Sequence, residues 1–310
     1  MMNSIKSKNF IQEIKNNKTL FIMLLPIVIY FFIFSYMVMP GVYIAFVNYD
    51  YSNGIFGSSF VGFDNFKFLI TSGDLWRITK NTILYNIVFI LLGNIIQIFI
   101  AILISEISNK LFKKISQSVI LLPNFISYVI VGVFAYNLFS YDQGLINSIL
   151  NNLGIGKHDF YGDAEIWKYI VTIFYIWKGT GYGMIVYLAS ITGIDEEIYE
   201  AAVIDGVNIF QKIRYITLPL LKPTFVMLLL FSLGGILRGQ FDLFYNLIGN
   251  NALLFPQTDI IDTYVFRSLI GNFNFSLSAA AGFYQSIFGL VLVLTINFIV
   301  KKIDSDYALF

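Results

Sequence analysis

The sequence has no cysteine, a single histidine and few charged residues. Only 13% of its 310 residues are charged, against roughly 25% in a soluble protein. The missing cysteines exclude disulfides and thiolate metal sites. His158 has no metal-ligating neighbours in the sequence, so we expect an ordinary loop histidine and no metal site. The net charge of +1 supplies no basic field for nucleic acid.

Two chemical signatures are also missing. No Gly-x4-Gly-Lys-Ser/Thr loop is present, so the chain has no usual means of binding ATP. No serine is placed to form a nucleophilic triad with His158. We therefore expect a protein that is not itself an enzyme and holds no cofactor.

Hydrophobic residues are abundant instead, at 57% of the chain, and the mean hydropathy is +0.73. A membrane span needs about 20 apolar residues. The first run is too long for a signal peptide and has no small-residue cleavage site. These features predict an all-α integral membrane protein with six spans, near Leu20–Ala45, Thr82–Ser105, Ser118–Ser140, Tyr169–Ile191, Thr224–Leu247 and Ser278–Val300.

The loops between these spans differ in basic residues, and cytoplasmic loops carry the excess. One side holds six basic residues: Lys67, Arg77, Lys80, Lys157, Lys168 and Arg267. The other holds twelve: Lys6, Lys8, Lys15, Lys18, Lys110, Lys113, Lys114, Lys212, Arg214, Lys222, Lys301 and Lys302. We predict a cytoplasmic segment 1–19, a plasma-membrane domain 20–300 and a cytoplasmic tail 301–310.

A charged island, loop 193–222, separates the fourth and fifth spans and lies on the predicted cytoplasmic side. Asp195 can cap a helix, and Asn208 with Gln211 has the spacing of a capping box. The island contains Glu-Ala-Ala, three residues, Gly, nine residues and Ile-x-Leu-Pro. Its candidate partner-binding residues are Glu200, Ala201, Ala202, Asp205, Gly206, Ile216, Leu218 and Pro219.

Polar residues inside apolar spans are functional candidates, because an unpaired charge in a membrane costs several kcal/mol. Arg238 and Asp242 are four residues apart, so we expect them on one helix face, either neutralising each other or lining a cavity. Lys178 either lines that cavity or extends to the outer interface. The other candidates for a solute path are Trp177, Tyr182, Gln240, Phe241, Tyr245 and Asn246. Asp259 and Asp262 are expected on a polar outer surface.

The spaced pattern of loop 193–222 resembles that of permeases of bacterial ATP-binding-cassette importers. Further stretches resemble the maltose-type carbohydrate permeases, and more narrowly the polysaccharide and complex-oligosaccharide permeases of Gram-positive bacteria. These stretches are Gly41–Phe46, Val61–Phe66, Leu122–Ser127, Leu233–Leu237 and Asp259–Arg267.

The resemblance implies a type I importer fold with a cytoplasmic coupling helix in loop 193–222. It also implies a second homologous permease, two ATP-binding subunits that hold ATP and Mg²⁺, and an extracellular lipid-anchored sugar-binding protein. The expected substrate is an oligosaccharide. The alternative is the same scaffold carrying another solute, such as a glycerophosphodiester.

Overall fold

Helices form most of residues 16–303, the part of the chain that the computed structural model describes. Most of the predicted terminal segments, including Lys6, Lys8 and Lys15, lies outside these residues. The first helix, α1, continues through Phe32–Tyr36 and Met39–Phe46 into a short antiparallel hairpin of β1 (Val47–Asn48) and β2 (Ser59–Phe60). In chain order the α-helices are α1 Lys18–Phe31, α2 Gly54–Gly57, α3 Asp64–Thr71, α4 Asp74–Ser105, α5 Lys110–Leu121, α6 Tyr128–Phe139, α7 Leu145–Asn152, α8 Ala164–Thr192, α9 Glu196–Ile204, α10 Ile209–Lys212, α11 Leu218–Leu233, α12 Phe241–Ile248, α13 Phe255–Thr258, α14 Ile261–Phe266 and α15 Phe275–Ile303.

Among the described residues, four helical segments are long and apolar enough to cross a membrane. They are Lys18–Phe46, Asp74–Ser105, Ile209–Leu233 and Phe275–Lys302. A bent pair, α5 with α6, raises the number to five if the pair forms one span. Helix α8 contains the predicted fourth span but is not one of these segments, so six spans remain a prediction.

The predicted third span is not one helix. Lys110–Phe125 and Tyr128–Phe139 meet at an angle of 94°. Pro123 lies in a short 3-10 turn, and Ser127 then caps α6 by accepting a hydrogen bond from the Ile130 N–H at 3.4 Å. We call residues 122–127 the first break.

The predicted fifth span also differs. Helix α11 ends at Leu233, and α12 begins only at Phe241. We call residues 234–240 the second break. The expectation that Arg238 and Asp242 share a helix face is therefore wrong, since Arg238 lies in the break and Asp242 in the first turn of α12. The two adjacent glycines, Gly234 and Gly235, allow the helix to end because glycine has the weakest helix propensity after proline.

Upstream of the second break, the chain is more continuous than predicted. Helix α10, the π-helical turn Ile213–Thr217 and α11 join into one segment, Ile209–Leu233. The second half of loop 193–222 therefore runs directly into a span. Pro219 and Pro223 are accommodated within this segment, Pro219 in the first turn of α11.

Helices α4 and α8 form the central pair of the fold. At one end their aromatic side chains, including Phe89, Trp167 and Phe174, join α6 and α12 in a buried core. At the other end Ile102, Met184 and Leu188 pack with α11. The Tyr187 hydroxyl donates a hydrogen bond to Asn94 Oδ1 at 2.5 Å between the two cores, so the pair is also joined by polar contacts.

Asp259 is buried, which corrects the expectation that it faces outwards. Its side chain is 0% exposed and accepts hydrogen bonds from Arg267 at 2.7 and 3.0 Å and from Arg77 at 3.2 Å. Asp262 is half-buried and accepts from the Gly239 N–H at 2.7 Å. Both carboxylates therefore connect elements of the fold.

Candidate functional site

Loop 193–222 folds as two capped helices, as the sequence predicts. Asp195 accepts a hydrogen bond from the Glu197 N–H at 3.1 Å at the start of α9. Asn208 and Gln211 form a capping box, with both hydrogen bonds at 2.9 Å. Gly206 joins the helices with a φ of 72°, a left-handed conformation that glycine adopts without a steric cost.

The loop is attached to the end of α4. Lys212 Nζ lies 2.6 Å from the Oε2 atom of Glu106, which is the residue that follows the end of α4. Within the loop, the hydroxyls of Tyr199 and Thr217 are 3.3 Å apart. Ala202 is buried against the chain itself, so a partner has close access to the helix at exposed Ala201 and not at Ala202.

The remaining surface of the loop is unusually apolar. Val203, Ile204 and Phe210 are 73%, 86% and 80% exposed. Glu200 and Asp205 are exposed beside them, and neither forms an ion pair within the described residues. Of the remaining predicted residues, Leu218 and Pro219 are exposed and Ile216 is half-buried. This arrangement fits a docking surface, in which an apolar centre is combined with a polar rim.

A polar cavity lies between α4, α8 and the two breaks. Its larger part, of about 470 Å³, is lined by residues of α4, α8, α11 and the second break. A smaller part of about 270 Å³ extends to Asn124 in the first break and to Tyr128 at the start of α6. The two parts share Gly93, Gln97, Tyr175, Tyr182 and Gln240.

The structure separates the predicted path residues into two groups. Lys178, Tyr182, Arg238 and Gln240 line the cavity. The other five do not line it: Trp177, Phe241, Asp242, Tyr245 and Asn246.

The residues outside the cavity have other contacts. Trp177 packs on Phe134 at 6.3 Å between ring centroids. Phe241 and Tyr245 stack at 5.2 Å, and both contact Phe266. Asn246 donates to the backbone carbonyl of Asp242 at 2.7 Å. No ion pair joins Arg238 to Asp242 within the described residues.

Lys178 is buried and points to the first break, so the expectation that it reaches the outer interface is wrong. It is 7% exposed. Its Nζ donates to the backbone carbonyls of Ile126, Asn124 and Pro123 at 2.6, 2.8 and 3.3 Å. An ammonium has three donors, so the three backbone carbonyls of the first break occupy all the donors of Lys178.

Sequence reasoning missed the polar residues of α4. Asn86, Asn94 and Gln97 line the larger part of the cavity. They are spaced by eight and three residues, which places them on one side of a helix with 3.6 residues per turn. Amides inside an otherwise apolar span were a usable signal, because polar residues in spans tend to face a cavity or the protein interior.

Comparison with known proteins identifies relatives over almost the whole chain. The polygalacturonan/rhamnogalacturonan transport system permease protein YteP of Bacillus subtilis (strain 168) is 35% identical, and the alignment covers 97% of this chain and 93% of YteP. Protein LplB of the same strain is 34% identical, with 97% and 94% covered.

A solved structure is similar as well. It is a bacterial alginate ABC transporter in complex with an alginate pentasaccharide-bound periplasmic protein. The matched chain has a TM-score of 0.84 and 33% identity, with 96% of this chain and 98% of that chain covered. Residues 97–305 match the family of binding-protein-dependent transport system inner membrane components, and with these relatives the match shows that the chain belongs to this family.

Proposed function

We propose that this chain is the membrane permease subunit of an ATP-driven importer for oligosaccharides. Family membership over residues 97–305 carries the proposal. The similar proteins point to saccharides, since one is named for polygalacturonan and rhamnogalacturonan and another for alginate. The cavity between α4, α8 and the breaks is the proposed path, with its other wall supplied by a second, homologous permease.

Loop 193–222 is the proposed coupling element, with α9 as the coupling helix. Its exposed apolar face would dock on one of two ATP-binding subunits, which would hold ATP and Mg²⁺. The ion pair between Lys212 and Glu106 supports this role, because it connects the docking surface to α4, a wall of the cavity. An extracellular lipid-anchored binding protein would deliver the substrate to the opposite side.

Charge reversal in the loop tests the coupling role. We expect Glu200→Lys to lower ATP-driven uptake at least about tenfold while the protein reaches the membrane, because a lost charged contact is worth about 1.5–3 kcal/mol. Gly206→Asp should also lower uptake, because a side chain at a φ of 72° strains the turn that joins the two helices of the loop. Glu196→Lys is the matched control, since Glu196 is also exposed on α9 but lies outside the spaced pattern. Normal uptake by Glu200→Lys at normal expression would contradict the coupling role.

The proposed orientation can be tested by cysteine labelling, because the native chain has no cysteine. Ser108 and Asn272 are both exposed and are predicted on opposite sides. In intact cells a membrane-impermeant thiol reagent should label Asn272→Cys but not Ser108→Cys, which should react only after permeabilisation. The reverse pattern would overturn the orientation.

Transport itself is tested in proteoliposomes that contain the chain with its co-expressed partners. Labelled oligosaccharides should accumulate only with ATP on the side of the ATP-binding subunits. Accumulation of a glycerophosphodiester and of no saccharide would replace the proposed function with the alternative.

A further inference from the structure

The walls of both parts of the cavity carry positive charge. Among the described residues, Arg238 is the only charged side chain in the wall of the larger part, and Lys178 is the only one in the wall of the smaller part. The other polar groups of the larger part, Asn86, Asn94, Gln97 and Gln240 among them, are neutral. A cleft lined by one sign of charge concentrates ligands of the opposite sign.

The two cations are not equivalent. Lys178 donates to three backbone carbonyls, so no donor is left for a solute. Arg238 is exposed to the cavity, and within the described residues no carboxylate lies within 4.0 Å of its guanidinium.

The acidic side chain that shares a cavity wall with Arg238 is hydrogen-bonded to other groups. Asp262 lines an adjoining cavity together with Arg238. Its Oδ2, however, accepts hydrogen bonds from the Gly239 N–H at 2.7 Å and from Gln285 Nε2 at 3.2 Å. Arg238 is therefore a charged group in the wall of the path without a partner in the described chain.

We propose that Arg238 selects for oligosaccharides that carry a carboxylate, such as oligomers of uronic acids. This inference rests on the proposed function and names its substrate class. A guanidinium pairs with a carboxylate through two parallel hydrogen bonds. The neighbouring amides of Gln97 and Gln240 supply donors and acceptors for sugar hydroxyls, and the exposed ring of Tyr182 supplies a face for the sugar ring.

A singly charged phosphodiester would satisfy the same guanidinium. The saccharide is favoured because the amides of Gln97 and Gln240 and the exposed ring of Tyr182 share the wall with one cation. Such a wall suits the repeated hydroxyls and ring faces of an oligosaccharide, whereas glycerophosphoglycerol has few hydroxyls and no ring.

The test measures ATP-driven uptake by the complete complex in proteoliposomes. The probes are labelled trigalacturonate and trimannuronate, each beside its carboxyl-reduced, neutral counterpart, together with glycerophosphoglycerol. The variants are Arg238→Gln, Arg238→Lys and Lys67→Gln, the last removing an exposed charge on α3 outside the cavity. The same binding protein is used throughout, so differences between variants report on the permease.

We expect the wild type to take up at least one uronate trimer faster than its reduced counterpart. Arg238→Gln should lower that uptake about tenfold or more, since a hydrogen bond to a charged group is worth about a tenfold change or more. Arg238→Lys should keep more uptake than Arg238→Gln, and Lys67→Gln should match the wild type.

Three results overturn the inference. One is wild-type uptake of a neutral trimer that equals or exceeds uptake of its uronate. Another is an equal loss of acidic and neutral uptake in Arg238→Gln. The third is uptake of glycerophosphoglycerol beside a neutral trimer but of no uronate. Wild-type uptake of glycerophosphoglycerol and of no saccharide would instead overturn the proposed function, which keeps the two failures distinguishable.

Discussion

The two breaks border the same cavity, but side chains of opposite charge bind their backbone groups. At the first break the ammonium of Lys178, on α8, donates hydrogen bonds to three backbone carbonyls. At the second break the carboxylate of Asp262 accepts from the Gly239 N–H, and the amide of Gln285 donates to the Leu237 carbonyl at 2.6 Å. In a membrane, backbone groups freed by a broken helix must find partners inside the protein.

The comparison separates charged side chains that bind the backbone from one that remains able to bind a solute. Lys178 and Asp262 are both engaged by the backbone at a break, which accounts for their presence in apolar surroundings. Arg238 lies in the second break and forms no ion pair within the described residues. Charge inside a span is therefore not by itself a sign of substrate binding, and the backbone contacts decide which charge is free.

The largest effect is expected at the first break, from Lys178→Met. The change leaves up to three buried carbonyls without a donor, so we expect the free energy of unfolding to fall by at least about 3 kcal/mol. Thermal unfolding of the detergent-purified protein measures it. Lys67→Met, at an exposed site, is the control, and an unchanged melting temperature in Lys178→Met would show that the break does not need its cation.

A second comparison is between Gly179 and Gly181, which lie two residues apart in α8. A Cβ at Gly181 would meet the backbone carbonyl oxygen of Ile120, just before the first break, whereas a Cβ at Gly179 meets nothing within 4 Å. Gly181→Ala should therefore lower the free energy of unfolding by about 1–3 kcal/mol through overpacking, as measured in the same thermal unfolding assay.

Gly179→Ala is the matched control for this change. It should be neutral or stabilising by up to about 1 kcal/mol, since alanine is the better helix former. Equal melting temperatures for the two variants would refute close packing of α8 on the end of α5.

The smallest effect is expected at the second break, from Asp262→Asn. Asparagine keeps an oxygen that can accept from Gly239 but loses the negative charge. We expect a loss of about 1 kcal/mol, well below that of Lys178→Met, in the same unfolding assay. A larger loss than that of Lys178→Met would reverse the ranking of the two breaks.

Local signals in the sequence predicted loop 193–222 well. Asp195, Gly206 and the pair Asn208–Gln211 take the roles that their residue types favour, because capping and tight turns depend on neighbours in the chain. The C-terminal end of α4 at Ser105 is also as predicted.

Features that depend on tertiary contacts were not predictable in the same way. Helix α4 begins at Asp74, eight residues before the predicted span. Its first turns are charged, so hydropathy excluded them from the span, but Arg77 in these turns forms an ion pair with the distant Asp259. The breaks were not predicted because the apolar stretches on both sides of each break were taken as one span. The sequence signals were Pro123 and Ser127 in the first break and Gly234, Gly235 and Gly239 in the second.

The unbroken segment Ile209–Leu233 has a mechanical consequence. At 1.5 Å per residue, its 25 residues form a rod of about 37 Å, with Phe210 near one end and the paired glycines directly after the other. A rod that ends in a hinge acts as a lever. Under the proposed coupling role, a force applied at Phe210 would reach the second break through one continuous helical segment, and the first charged group beyond the glycines that faces the cavity is Arg238.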